Sequence, residues 1–135
     1  MVEIPYDAAY VARFFDEYGE REWHRFDARP MDRVNLEVHR RFLHEFVVAG
    51  DCVLEAGCGP GRFTFELADI GTRVLAGDIS PRQLALHREK TAEVEKSIED
   101  RVLLDVVDGC LAARLEQHFF SRVAQLLQEQ NGARL

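Results

Sequence analysis

A carboxylate and three glycines at alternate positions, Glu55-x-Gly57-x-Gly59-x-Gly61, stand inside the run V-L-E-A-G-C-G-P-G-R-F from Val53 to Phe63. Val53 and Leu54 suit a buried strand, and the glycines let the backbone turn sharply while leaving no side chain between it and a ligand. A strand, a glycine-rich turn and a helix N-terminus together form the nucleotide-binding corner of an open α/β sheet, where free backbone N–H groups point at the ligand. Downstream, T-R-V-L-A from Thr72 to Ala76 reads as a second strand, and Asp78 follows it. An acid there can accept hydrogen bonds from both hydroxyls of a ribose, and the interval from Gly61 to Asp78 is close to the roughly 20 residues of that geometry. The alternative role for Asp78 is in capping the helix that opens around Ser80.

Glycine spacing separates the ligands such a corner could take. The dinucleotide fingerprint G-x-G-x-x-G would put Arg62 in the third-glycine position, where a long charged side chain fits poorly. The pattern E-x-G-x-G-x-G instead resembles motif I of the class I S-adenosylmethionine-dependent methyltransferases. In that family the loop wraps the methionine moiety of the cofactor, so the resemblance implies that Glu55 acts on its ammonium, directly or through water. It further implies that Ile79 lies against the adenine and that the acid directly after the third strand accepts from the adenine amino group. Asp108, with Gly109 behind it, is read in that place, after a strand expected over Arg101–Val107; the alternative for Asp108 is a turn-forming Asp. Asp105 is the rival acid and is read as lying within the strand. An NAD site and a glycine turn without ligand remain as other readings of the loop.

The elements that must position these residues follow from periodicity. Apolar residues from Tyr6 to Tyr18 recur at helical spacing up to Gly19, and Arg21–Asp27 reads as a short helix or loop. Pro30 opens a long helix that runs until Ala49-Gly50-Asp51, with Val34, Leu36, Val38, Phe42, Leu43, Phe46 and Val47 expected to pack on the sheet. After the glycines, Phe63, Phe65, Leu67 and Ala68 build a helix that stops at Gly71. Ser80-Pro81 then opens another, expected to reach about Ile98. Helices ahead of the first strand resemble the N-terminal cap of small-molecule methyltransferases, including the ubiquinone-biosynthesis-like group. Tyr10, Tyr18, Arg21 and Trp23 are the cap residues that could reach the site, Arg21 toward the cofactor carboxylate; the alternative is that they are packing aromatics and a solvated charge.

The 135 residues, 47% of them hydrophobic, can bury one core. A formal net charge of −7 argues against a nucleic-acid surface and leaves a small-molecule acceptor as the expected partner. Cys52, Cys58 and Cys110 form no C-x-x-C pair, and His24, His39, His44, His87 and His118 lack metal-ligand spacing and read as surface or cap histidines. No basic-then-apolar leader and no apolar run near 18 residues occurs, so a cytoplasmic protein without membrane contact is expected.

The organisation expected is therefore an α/β, Rossmann-like parallel sheet of about three strands. Residues 1–50 form a helical cap segment, 51–109 the cofactor half, and 110–135 an amphipathic helix stopped at Asn131-Gly132. No fourth strand is recognisable, and Val123–Leu135 is similar to the family's segment before its fifth strand, which reads as a truncation. With strands in the order three-two-one, the first would offer an apolar edge, covered by the last helix or by a second copy of the chain. The resemblance implies methyl transfer from S-adenosylmethionine, which needs chiefly orientation and exclusion of water; no catalytic base appears as a motif. The competing reading is a non-catalytic binding or dimerising module.

Overall fold

A computed structural model describes residues 5–105 of the chain. In order these form α1 (Ala8–Tyr18), α2 (Arg21–His24), a 3-10 turn (Arg25–Asp27), α3 (Pro30–Phe46), β1 (Cys52–Ala56), α4 (Arg62–Ile70), β2 (Arg73–Asp78), α5 (Pro81–Lys90), a second 3-10 turn (Ala92–Ser97) and β3 (Ile98–Leu103). The three strands are parallel in the order β1-β2-β3, a Rossmann-like α/β arrangement. Val53 lies beside Val74 and Glu55 beside Ala76, while Asp78 at the end of β2 lies beside Leu103 at the end of β3.

Local chemistry sets the element ends. Asp7 caps α1 by accepting from the Tyr10 N–H at 3.0 Å, so the helix starts at Ala8 rather than Tyr6. Gly71, at φ 94°, closes α4 in the left-handed conformation expected of it. Ser80 caps α5, its hydroxyl accepting from Gln83 N–H at 3.0 Å with Pro81 in the first turn.

Boundaries around α5 and β3 also differ from expectation. The helix begun at Ser80-Pro81 does not reach Ile98: Thr91 turns its hydroxyl back to the His87 carbonyl at 2.6 Å, and a 3-10 turn follows Lys90. Ile98 consequently opens β3, which ends at Leu103, several residues earlier than the expected Val107.

The core is one face of the sheet under α4 and α5. Cys58, Leu67, Val74 and Ala76 form its centre, and Leu43, Val47, Val53 and Leu84 pack around them. α3 lies chiefly against α4 and the first 3-10 turn, and Leu43, with Val47 just past its end, reaches the core. The expectation that its broad apolar face covers the sheet is corrected, since Val34, Val38, Phe42 and Phe46 are exposed. Arg40 and His44 fix α3 to α4 through Glu66, at 2.9 and 3.3 Å.

Among the described residues no helix is long and apolar enough to cross a membrane, and no group of side chains could hold a metal ion. The expected C-terminal helix, the Asn131-Gly132 stop, the unrecognised fourth strand and the cover of the β1 edge lie outside the described residues.

Gly61 is where the backbone demand is greatest. It sits at φ 97°, and a methyl group there would stand 2.5 Å from Thr91 Cγ2 and 3.2 Å from the His87 ring. Gly61→Ala is therefore expected to destabilise the fold by about 2 kcal/mol or more. Urea denaturation checks this against Gly57→Ala, where no described residue lies within 4 Å and the positive φ is penalised.

Candidate functional site

The glycine loop hangs from the end of β2. The Gly57 and Cys58 N–H groups both donate to the Gly77 carbonyl, at 2.7 and 2.9 Å. All three glycines have positive φ, but their surroundings differ. Gly57 has no described residue within 4 Å of its Cβ position; Gly59 is flanked by Glu22 and Gln83; Gly61 is packed against α5. Asp78, 7% exposed, joins the loop to α5: one carboxylate oxygen accepts from Gly59 N–H and the other from Ser80 N–H, both at 2.9 Å. Burial raises its pKa, and the backbone donors at Ser80, Gly59 and Ile79 oppose that rise. The helix-capping role is thus part of what Asp78 does, and lone pairs remain for a ligand.

Above the loop is a cavity of about 470 Å³, within the range of small-molecule sites. Gly57, Gly59, Asp78 and Ile79 line its floor, with Gln83 at one side and Leu104 and Asp105 at another. The opposite wall is the N-terminal segment: Tyr6, Val11, Phe15, Glu22 and Arg25. That segment is held over the sheet by named contacts. Asp16 of α1 accepts from the Ser80 hydroxyl at 2.5 Å and from Arg82 N–H at 3.0 Å, placing a carboxylate at the positive end of α5. The Gln83 amide nitrogen donates to the carbonyls of Phe15 and Gly19, at 2.9 and 3.1 Å. Glu20 pairs with Lys90.

The cavity gathers four of the expected site residues, Gly57, Gly59, Asp78 and Ile79. Glu55 and Gly61 are not on its lining, and Asp108 and Gly109 lie outside the described residues. Since β3 ends at Leu103, the acid that follows it closely is Asp105, not a residue within the strand as expected; it lines the cavity and accepts from the Tyr6 hydroxyl at 2.8 Å. The four cap residues singled out from sequence are also placed elsewhere. Arg21 donates to the Tyr18 and Glu17 carbonyls, Tyr18 stacks on Phe14, Tyr10 is exposed, and Trp23 packs edge-on to Phe65. Glu22, Arg25 and Gln83 occupy the cavity instead, and only the tertiary docking of α2 and α5 over the loop reveals them.

Glu55 points the other way, into a buried polar chain. Arg101 Nε donates to His87 Nδ1 at 2.9 Å. An arginine only donates, so the His87 proton is on Nε2, facing Thr64 Oγ1 at 2.9 Å. Thr64 in turn donates to Glu55 at 2.6 Å. His87, expected at the surface, is fully buried, because this chain satisfies both ring nitrogens. Burial, with Arg101 beside it, pushes the His87 pKa down to about 4 and keeps the ring neutral. Burial pushes Glu55 up to about 7, against the stabilising Thr64 bond, with the Asp78 charge adding to the rise.

These two shifts act on stability with opposite signs. The folded pKa of Glu55 is raised above its ordinary 4.5, so its contribution is present at low pH and is lost as pH rises from about 4.5 through about 7. That of His87 is depressed from 6.5, so its contribution is present above about 6.5 and is lost as pH falls toward about 4. Replacing Glu55→Gln, which keeps an acceptor for Thr64, removes the first slope alone. Between pH 5 and pH 7.5 the wild type is expected to lose about 2 kcal/mol relative to this variant in urea denaturation. Parallel stability curves would contradict the assignment.

Comparison with known proteins bears on this geometry. A family described as a methyltransferase domain matches residues 53–129, more than half of the chain, beginning in β1 and taking in the glycine loop, Asp78 and β3. No curated protein matches the chain. With the strand, glycine loop and following acid in the family's order, the chain belongs to the class I methyltransferase-domain family, whose members generally use S-adenosylmethionine.

Proposed function

We propose that the cavity binds S-adenosylmethionine and that the chain transfers its methyl group to a small-molecule acceptor, as in the ubiquinone-biosynthesis-like methyltransferases. The observation that carries this reading is the meeting of Gly57, Gly59, Asp78 and Ile79 on one cavity floor. The donor set fits the cofactor. Gly57 leaves its side of the loop open, Asp78 keeps acceptor capacity for ribose hydroxyls, and Ile79 offers an apolar surface to a base. Asp105, next to the end of β3, is suited to accept from an adenine amino group, the role expected of Asp108. Arg25 takes the place imagined for Arg21, as the arginine on the wall that could face a carboxylate.

Bound there, the cofactor would supply an electrophilic methyl carbon on its sulfonium. The chain's own work is to orient the nucleoside through the loop and Asp78 and to keep water away with Val11, Phe15, Ile79 and Leu104. The net charge of −7 favours an acceptor that is not a nucleic acid. An association of two copies along the β1 edge belongs to the same proposal, and sedimentation reads it directly.

Calorimetric titration with S-adenosylmethionine and S-adenosylhomocysteine tests the binding step. Both are expected to bind, and Asp78→Asn is expected to weaken them at least about tenfold, since a charge-assisted acceptor is lost. Absence of binding to the wild type would sink the proposal. Assay of methyl transfer to an acceptor panel follows, and binding without any turnover would favour a cofactor-binding module over an enzyme.

A further inference from the structure

We propose that Glu22 and the side-chain carbonyl of Gln83 form an ammonium-binding corner over Gly59, which takes the α-amino group on the amino-acid arm of the cofactor. The inference rests on the reading of the cavity as an S-adenosylmethionine site and adds the residues that recognise one end of that ligand.

Gln83 supplies the first observation. It is 1% exposed, and its amide nitrogen is committed to two carbonyls, those of Phe15 and Gly19. That commitment sets the amide orientation, because the flipped form would aim oxygen at both carbonyls. Among the described residues Oε1 has no partner; it is buried, on a residue that lines the cavity. A buried acceptor held in this way calls for a donor from a ligand.

Glu22 supplies the second. Its side chain is 14% exposed, lies on the facing wall and pairs with Arg25 at 3.1 Å. Measured from the position a Cβ would take on Gly59, Glu22 Cγ is 3.6 Å away and Gln83 Oε1 is 4.0 Å away, so the two side chains bracket the same point of the loop. A group lodged between a carboxylate and an amide oxygen must donate to both, and a positive charge suits the first. An ammonium carries three donors and that charge; a hydroxyl carries one donor, and a sulfonium carries none. Burial raises the pKa of Glu22, with Arg25 opposing the rise and the Asp78 charge adding to it, and a cation in the corner would favour its ionised form.

Titration calorimetry on the full chain separates this corner from the rest of the site. S-adenosylhomocysteine carries the amino-acid arm, whereas 5′-methylthioadenosine shares the nucleoside and a neutral sulfur but has no arm. Glu22→Gln and Gln83→Met are each expected to weaken S-adenosylhomocysteine about tenfold, the loss of one hydrogen bond to a charged group, while 5′-methylthioadenosine binds as to the wild type. Unchanged S-adenosylhomocysteine affinity in both variants overturns the corner. So does a parallel loss of both ligands in Glu22→Gln, which leaves the Gln83 contacts to α1 intact. A wild type that binds both ligands equally well overturns the corner and spares the site, whereas a wild type that binds neither removes the site and the corner together.

Discussion

The carboxylate of Asp78 is the point on which the site depends. It is buried at the end of β2, and a buried carboxylate is tolerable only when donors surround it. The donors are main-chain N–H groups of Gly59 and Ser80, so the loop and the head of α5 cannot move independently of the strand. The backbone carbonyls of Gly77 and Asp78 extend the coupling. Gly77 O receives the Gly57 and Cys58 N–H groups, and Asp78 O receives Leu104 N–H just past β3. Gly77 also has to be a glycine, because a Cβ there would stand 2.6 Å from Leu104 Cδ2. Three strand ends and one helix start are thereby locked together by contacts that no side-chain repacking can replace.

The cavity exists because the N-terminal segment is laid across that locked floor by polar contacts more than by apolar burial. No residue of α1 is buried, yet Asp16 and the α1 terminal carbonyls engage Ser80, Arg82 and Gln83. Farther along, Trp23 meets Phe65, Phe26 meets Phe63, and Arg62 joins Asp27 at 3.1 Å and the Trp23 carbonyl at 3.2 Å. Apart from the buried bond from Gln83 to the Gly19 carbonyl, these hydrogen bonds are part-buried or exposed, and each adds little net stability. A wall fastened in this way can open at modest cost, as entry of a ligand into an enclosed site requires.

Local signals were legible where the backbone itself is special. Gly57, Gly59, Gly61 and Gly71 all occupy positive φ, and the strand, loop and helix they punctuate stand where their spacing puts them. Boundaries set by side-chain choices were less legible. Thr91 ends α5 by bonding backward to His87, a competition that periodicity does not register. The start of β3, Ile98-Glu99-Asp100, is half-buried and charged, and so lacks the alternation that marks a strand. Glu22, Arg25 and Gln83 were illegible for a stronger reason: each gains its place only when a distant element docks, so no window of sequence contains the information.

Glu55 and Gly61 lie off the cavity lining, and for Glu55 strand parity explains why. Successive side chains on a strand point to opposite faces, and residues in register across parallel strands share a face. Glu55 is in register with Ala76, and Ala76 with Arg101. Arg101 reaches His87 of α5, so Glu55 shares the helix-covered face and is drawn under the loop. There it ends a chain of donors running from Arg101 through His87 and Thr64, and a carboxylate at that end gives the chain its direction. Gly61 is small because this chain passes against it, not because a ligand does. Within a motif of four alternate residues, therefore, Gly57 and Gly59 line the cavity while Glu55 and Gly61 brace the loop from beneath, because the strand ends at Ala56 and the positive φ of the glycines breaks its alternation.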